Sequence, residues 1–138
     1  MAGSEVFIDS VFWIAAARTP DAQHVRARAL GGELLKRRAK LVISDLILAE
    51  VVTFVLNKDG HEAAQRLMGL LEENTTMLFV DREVLSDAEA LLRRYWGPRK
   101  RLSVCDATSC ILMQERGIED LYSFDSGFDG LPGITRIS

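Results

Sequence analysis

Apolar and polar positions along the chain follow two alternating rhythms. Short apolar runs end at polar residues, and longer segments repeat their apolar positions every three or four residues, so strands and helices take turns. The stretch Glu5-Val6-Phe7-Ile8-Asp9-Ser10 reads as a short strand ending abruptly in a carboxylate. Ser10 to Ala17 is a short helix stopped by Arg18-Thr19-Pro20. Asp21 opens a helix through about Ala39 with Val25, Ala29, Leu30, Leu34 and Leu35 on its apolar face, and Gly31-Gly32 weakens it. Leu41-Val42-Ile43 is a brief buried strand, and Ser44 is a good N-terminal cap for a third helix.

That helix, Asp45 to Asn57, carries Leu46, Ile47, Leu48, Ala49, Val51, Val52, Phe54, Val55 and Leu56, so the pattern predicts burial nearly all round, with Glu50 in the middle. Lys58-Asp59-Gly60 makes a tight connection to another helix, Glu62 to Glu73, packed against it as a hairpin. Met77-Leu78-Phe79-Val80 is another buried strand. Arg82 to Trp96 is a helix with core positions Val84, Leu85, Ala88, Leu91, Leu92 and Tyr95, ended by Gly97-Pro98. Ser103 begins a helix to about Arg116, with Gly117 at its C-terminal end. Leu121-Tyr122-Ser123-Phe124 is a strand meeting Asp125, and Ile134-Thr135-Arg136-Ile137 is a last, short edge strand. This alternation predicts an α/β sandwich with a mainly parallel sheet, and residues 1–138 read as one domain.

Composition narrows the picture. A chain with 48% hydrophobic and 27% charged residues is globular, and a net charge of -3 argues against wrapping nucleic acid by bulk positive charge. Cys105 and Cys110 lie on different faces of a helical pattern, which points to reduced thiols in a cytoplasmic protein. With only His24 and His61 and no Cys cluster, zinc has no support. Val11 to Ala17 imitates a signal peptide, but no Lys or Arg precedes it and Asp9 interrupts it. Nor does any run approach the roughly 20 apolar residues of a membrane span. The opening Met1-Ala2-Gly3-Ser4 carries no weight in this reading.

The acids hold the chemistry. In parallel sheets ligands bind beyond the carboxyl ends of the strands, which puts Asp9 at the lip of a crevice, although capping the helix at Ser10 is a simpler role. Glu50 within an apolar helix needs a partner, a metal or a shifted pKa, and a buried Arg or a tilt toward solvent are structural alternatives. Asp106 fits a capping box with Ser103, and Asp125 fits a turn before Ser126-Gly127. Together the four can face one crevice, where crowded carboxylates stay ionised only around a cation. Oxygen donors without His or Cys select Mg2+ or Mn2+, the ions of phosphoryl chemistry.

The ordered set formed by the strand-Asp-Ser start, Ser44-Asp45-Leu46-Ile47-Leu48-Ala49-Glu50, Leu102-Ser103-Val104-Cys105-Asp106-Ala107 and Ser123-Phe124-Asp125-Ser126-Gly127-Phe128 resembles PIN-domain ribonucleases, most closely the VapC-type toxins of prokaryotic toxin-antitoxin pairs. The resemblance covers nearly the whole chain, including Leu131-Pro132-Gly133. It implies a PIN-like three-layer sandwich, Mg2+-dependent endoribonuclease activity with Mn2+ as a substitute, a homodimer, and inhibition by a small VapB-type antitoxin. Asp9, Glu50, Asp106 and Asp125 match the family's acidic positions; Asp129 is an accessory acid and Ser10 a support of the metal shell. In that scheme Asp9 and Asp106 are direct ligands. Glu50 and Asp125 complete the site, and one of them takes the proton from the attacking water.

Arg93, Arg94, Arg99, Lys100 and Arg101 surround Tyr95-Trp96-Gly97-Pro98 just before the Asp106 helix. Phosphate contacts with a stacking face on Trp96 suit single-stranded RNA, and a solvated helix end explains the same charges. Two other functions remain: a PIN-like module that binds RNA or protein without cutting, and a phosphatase of the haloacid dehalogenase type. The second wants another Asp two residues after Asp9, where Val11 stands.

Overall fold

Val6, Phe7 and Ile8 offer no polar side chain to either side of a strand, and only the middle of a parallel sheet covered on both faces accommodates such a run. In the computed structural model they are buried in the central strand β1 (Glu5–Ile8), each contributing roughly 1.5–3 kcal/mol. The structure describes residues 3–138; Met1 and Ala2 of the opening segment lie outside the described residues. The other strands are β2 (Lys40–Ser44), β3 (Thr76–Leu78), β4 (Asp120–Tyr122) and β5 (Thr135–Ile137). The sheet order is β3-β2-β1-β4-β5, and every neighbouring pair is parallel.

Among the described residues six helices connect the strands: α1 (Ser10–Ala17), α2 (His24–Lys36), α3 (Asp45–Asp59), α4 (His61–Asn74), α5 (Arg82–Tyr95) and α6 (Val104–Arg116). From β1 to β3 the chain steps one way across the sheet, then crosses back to β4. Right-handed crossovers therefore place α1 to α4 over one face and α5 with α6 over the other, giving three layers. The packing agrees: α1 meets α2 and α3, α3 meets α4, and α5 meets α6. The strand order reverses between β1 and β4, and at such a switch point a crevice opens beyond the carboxyl ends of the strands. The register pairs Ile8 with Tyr122, and the Asp9 N–H donates to the Tyr122 carbonyl at 3.0 Å. Asp9 and Ser123 thus leave the sheet side by side.

Several elements differ from the pattern reading. The second helix begins at His24, because Asp21 folds into a turn that accepts the Gln23 N–H at 2.8 Å. Its buried stripe is Ala27, Leu30 and Leu34, and Val25 is 81% exposed and Leu35 77%. β3 is a half-buried edge strand of Thr76–Leu78, so Phe79, counted as buried, is 69% exposed. The largest correction concerns α3, which is not buried all round: only Ile47, Val51 and Val55 are fully enclosed, and Glu50 lies on an exposed face. Cations cover part of that face, with the Arg18 guanidinium 5.7 Å and the Lys58 ammonium 5.9 Å from the Phe54 ring centroid. α3 also runs on to Asp59, which holds Arg18 through two hydrogen bonds of 2.8 and 3.2 Å. Gly60, at φ 91°, then turns the chain into α4.

Candidate active site

Asp9 stands where β1 becomes α1, in extended backbone at the N-cap position, yet its side chain makes no capping hydrogen bond. It is buried, its Oδ2 accepts the Ser123 hydroxyl at 2.7 Å, and its Oδ1 has no partner. Burial raises the carboxyl to about 7, and the charges of Asp106 and Glu50 push in the same direction against the hydrogen bonds from Ser123 and the Ser10 backbone. A lone buried carboxylate of this kind costs several kcal/mol, and capping does not account for it.

Asp106 serves both readings of its sequence. Its N–H donates to Ser103 Oγ at 3.0 Å and its Oδ2 accepts the Ser103 N–H at 3.1 Å, which completes a capping box on α6. Burial raises its pKa, Asp125 and Glu50 add to the rise, and the two Ser103 hydrogen bonds oppose it. At the other end Gly117, in the left-handed region at φ 74°, closes the helix. The box therefore fixes where the carboxylate sits at the head of a well-terminated helix.

Glu50 reaches the same region from α3. Its Oε1 accepts the Ser10 hydroxyl at 2.6 Å, so the residue after Asp9 restrains it. Burial, then the charge of Glu50 and a hydrogen bond to it, push the Cys105 thiol well up, and Cys105 stays protonated. Cys110 is pushed up to about 12 by burial and by Asp106 and Asp9. Asp125 follows β4 and forms an Asx turn: its Oδ1 accepts the Gly127 N–H at 2.9 Å, and its own N–H donates to Ser123 Oγ at 3.0 Å.

Asp9, Glu50, Asp106 and Asp125 thus belong to one electrostatic neighbourhood. Among the described residues no three Asp, Glu, His or Cys side chains form a ready-made metal cage. The donor chemistry nonetheless fits a hard divalent cation: the neighbourhood is rich in carboxylate oxygen, and Asp9 Oδ1 is buried with nothing bound to it. Asp129 is paired with Arg136, whose charge is also felt by Asp125. Arg136 grips Asp129 at 2.7 and 3.1 Å, which holds its carboxyl below the usual range, and the Arg136 Nη1 also donates to the Ser123 carbonyl.

Among the basic residues, Arg93 and Arg94 project from the end of α5, and Arg99 and Arg101 are exposed in the following loop. Lys100 donates to the Asp129 carbonyl oxygen. Sequence reasoning missed Ser123, the hydroxyl that links Asp9 to the Asp125 backbone. Its signal is slight: a small polar residue closing an apolar strand, two positions before an acid. A cleft of about 550 Å3 lined by Glu5, Leu78, Phe79, Leu112, Glu115 and Arg116 includes none of these carboxylates.

Known proteins share this arrangement of elements. The profile of the PIN domain family matches residues 6–134. The 23S rRNA-specific endonuclease VapC20 of Mycobacterium tuberculosis is 28% identical over 124 residues, covering 89% of this chain and 91% of VapC20. The ribonuclease VapC13 of the same organism is 32% identical over 123 residues, covering 86% and 84%. The crystal structure of VapC20, described as a Sarcin-Ricin loop cleaving toxin, superposes with a TM-score of 0.80 at 26% identity over 94% of this chain and 98% of that one. A chain of a toxin-antitoxin complex from Klebsiella pneumoniae shares the fold, with a TM-score of 0.68 at 18% identity over 94% and 95%. The chain belongs to the PIN domain family, with VapC ribonucleases among its relatives.

Proposed function

We propose that this protein is an endoribonuclease of the VapC type that hydrolyses RNA phosphodiester bonds with the help of Mg2+, for which Mn2+ can substitute. The observation that carries the reading is the buried Asp9 carboxylate, one oxygen held by Ser123 and the other without a partner, in the field of Asp106 and Glu50. Among the described residues no Lys or Arg pairs with that carboxylate, and a divalent cation would balance its charge. When bound, such a cation supplies the charge that activates water and steadies the developing negative charge on the phosphate.

The chain's own residues do the positioning. Asp9 and Asp106 would hold the cation directly, Asp9 aimed by Ser123 and Asp106 by its capping box. Glu50, restrained by Ser10, and Asp125, restrained by Gly127, would complete the acidic site, and one of them would accept the proton of the attacking water. Placing these carboxylates before substrate arrives lowers the reorganisation needed at the reacting phosphate.

In this reading the partners are RNA, a small VapB-type antitoxin and a second copy of the chain, and the protein works in the cytoplasm. No helix among the described residues is long and apolar enough to cross a membrane. A second reading, a PIN-like module that binds without cutting, draws on the lack of a ready-made cage among the described residues. Incubating purified protein with ribosomal RNA, with Mg2+ or with a chelator, decides between them. Cleavage that needs the ion supports the nuclease, and intact RNA in both supports the module.

A further inference from the structure

Trp96 ends α5 with 56% of its surface exposed, beside the buried Leu102. Single exposed apolar residues are ordinary on protein surfaces and need no explanation. This one is held in place. Its indole Nε1 donates to the Leu102 carbonyl at 2.7 Å, so the polar edge of the ring is satisfied and turned inward. The adjoining loop is closed on itself: the Gly97 N–H donates to the Lys100 carbonyl at 3.2 Å and the Lys100 N–H to the Gly97 carbonyl at 3.3 Å. Lys100 then ties the loop to the Asp129 carbonyl, in the segment that carries Asp125.

The surroundings are cationic and largely uncommitted. Arg99 and Arg101 have no acidic partner among the described residues, Arg94 lies against the Tyr95 ring at 5.8 Å, and Arg93 has only a loose approach of 3.9 Å to Glu89. This charge is local in a chain whose net charge is -3. The loop also leads into Ser103, the cap that sets Asp106. A fixed aromatic plate, with exposed arginines at nearby positions before and after it in the chain and a short loop joining it to the acidic site, fits a strand of unpaired nucleotides. Bases stack on the aromatic face and phosphates meet the guanidinium groups. A duplex keeps its bases inside and offers such a plate nothing.

We infer that Trp96 is a stacking platform for one unpaired base of the RNA substrate, with Arg93, Arg94, Arg99 and Arg101 receiving the neighbouring phosphates. The inference rests on the nuclease reading for its substrate class, and its test does not depend on catalysis. Binding of a fluorescent, unstructured single-stranded RNA and of the matching perfect duplex is measured in chelator, where no cation-dependent cleavage occurs. Wild type, Trp96→Ala and Trp96→Phe are compared, and their oligomeric states are checked by sedimentation.

Trp96→Ala is expected to bind the single strand about 5- to 100-fold more weakly, with the duplex hardly affected. Trp96→Phe keeps a ring and stays near wild type. Unchanged single-strand binding by Trp96→Ala overturns the inference. So does an equal loss for both RNAs, which means a disordered loop, or a changed oligomeric state, which makes Trp96 a contact between copies. Loss of cation-dependent cleavage in wild type with normal single-strand binding overturns the nuclease reading and leaves the platform standing.

Discussion

Ser123 donates its hydroxyl hydrogen to Asp9 Oδ2 at 2.7 Å, joining residues 114 positions apart in the sequence. The bond spans the point where β1 and β4 leave the sheet, and the same hydroxyl accepts the Asp125 N–H. One small side chain therefore sets two of the four acids. Ser123→Ala is expected to lift the Asp9 pKa further and to lower activity about 10- to 100-fold, as loss of a supporting hydrogen bond does in metal sites. Ser123→Thr should restore much of it. A pH–rate profile identical to wild type in Ser123→Ala would contradict the positioning role.

The raised pKa of Asp9 makes a signed prediction for stability. Its folded value of about 7 lies above the ordinary 3.8, so the native state binds the extra proton between those values. Without a cation, stability falls as pH rises from about 4 to about 7, by on the order of 4 kcal/mol from this group, and then levels. Asp106, also raised, adds in the same direction. Glu5, Asp59 and Asp129 are lowered and act oppositely, gaining stability as pH rises from low values toward the ordinary carboxylate range. Between that range and neutral pH the slope comes from Asp9 and Asp106. Calorimetry in chelator should show Asp9→Asn melting higher than wild type at pH 8, with a flatter profile; equal melting of the two proteins at every pH would contradict this electrostatic account.

Cation binding must displace that proton. Mn2+ affinity is therefore expected to strengthen as pH rises toward about 7 and to level beyond it. Mg2+ should raise the melting temperature more at pH 8 than at pH 6, because the proposed ion site exists only in the folded state. Paramagnetic resonance of Mn2+ with wild type and Asp106→Asn checks the site, and undiminished binding in the variant would remove Asp106 from it.

Gly127 tests the Asx turn. A Cβ added there would sit 3.0 Å from Asp125 Oδ1, the oxygen that accepts the Gly127 N–H. Gly127→Ala must push the Asp125 carboxylate aside by a few tenths of an ångström, and activity should fall by up to about tenfold with little change in melting temperature. Full activity would show that Asp125 does not need its observed position.

Most of the layer architecture was legible because strand and helix periods differ and the Asp9 strand has no polar face. The Ser103 cap and the Gly117 terminator of α6 were readable from local chemistry alone. Residues buried by distant partners were harder. α3 looked fully enclosed because Phe54 and Leu56 are apolar, but Phe54 is covered in part by Arg18 and Lys58 rather than by the core. Glu50 was consequently expected in a buried setting, whereas it reaches the site from an exposed face through Ser10. Ser123 and the Asp129–Arg136 pair depend on strand register and loop closure, which no local pattern encodes.

The most direct measurement is Mg2+-dependent cleavage of purified ribosomal RNA by wild type, Asp9→Asn and Asp106→Asn, each first shown to be folded. The account predicts defined fragments from wild type with Mg2+, none in chelator, and none from either variant. Cleavage by Asp9→Asn at the wild-type rate, or by wild type in chelator, would contradict it.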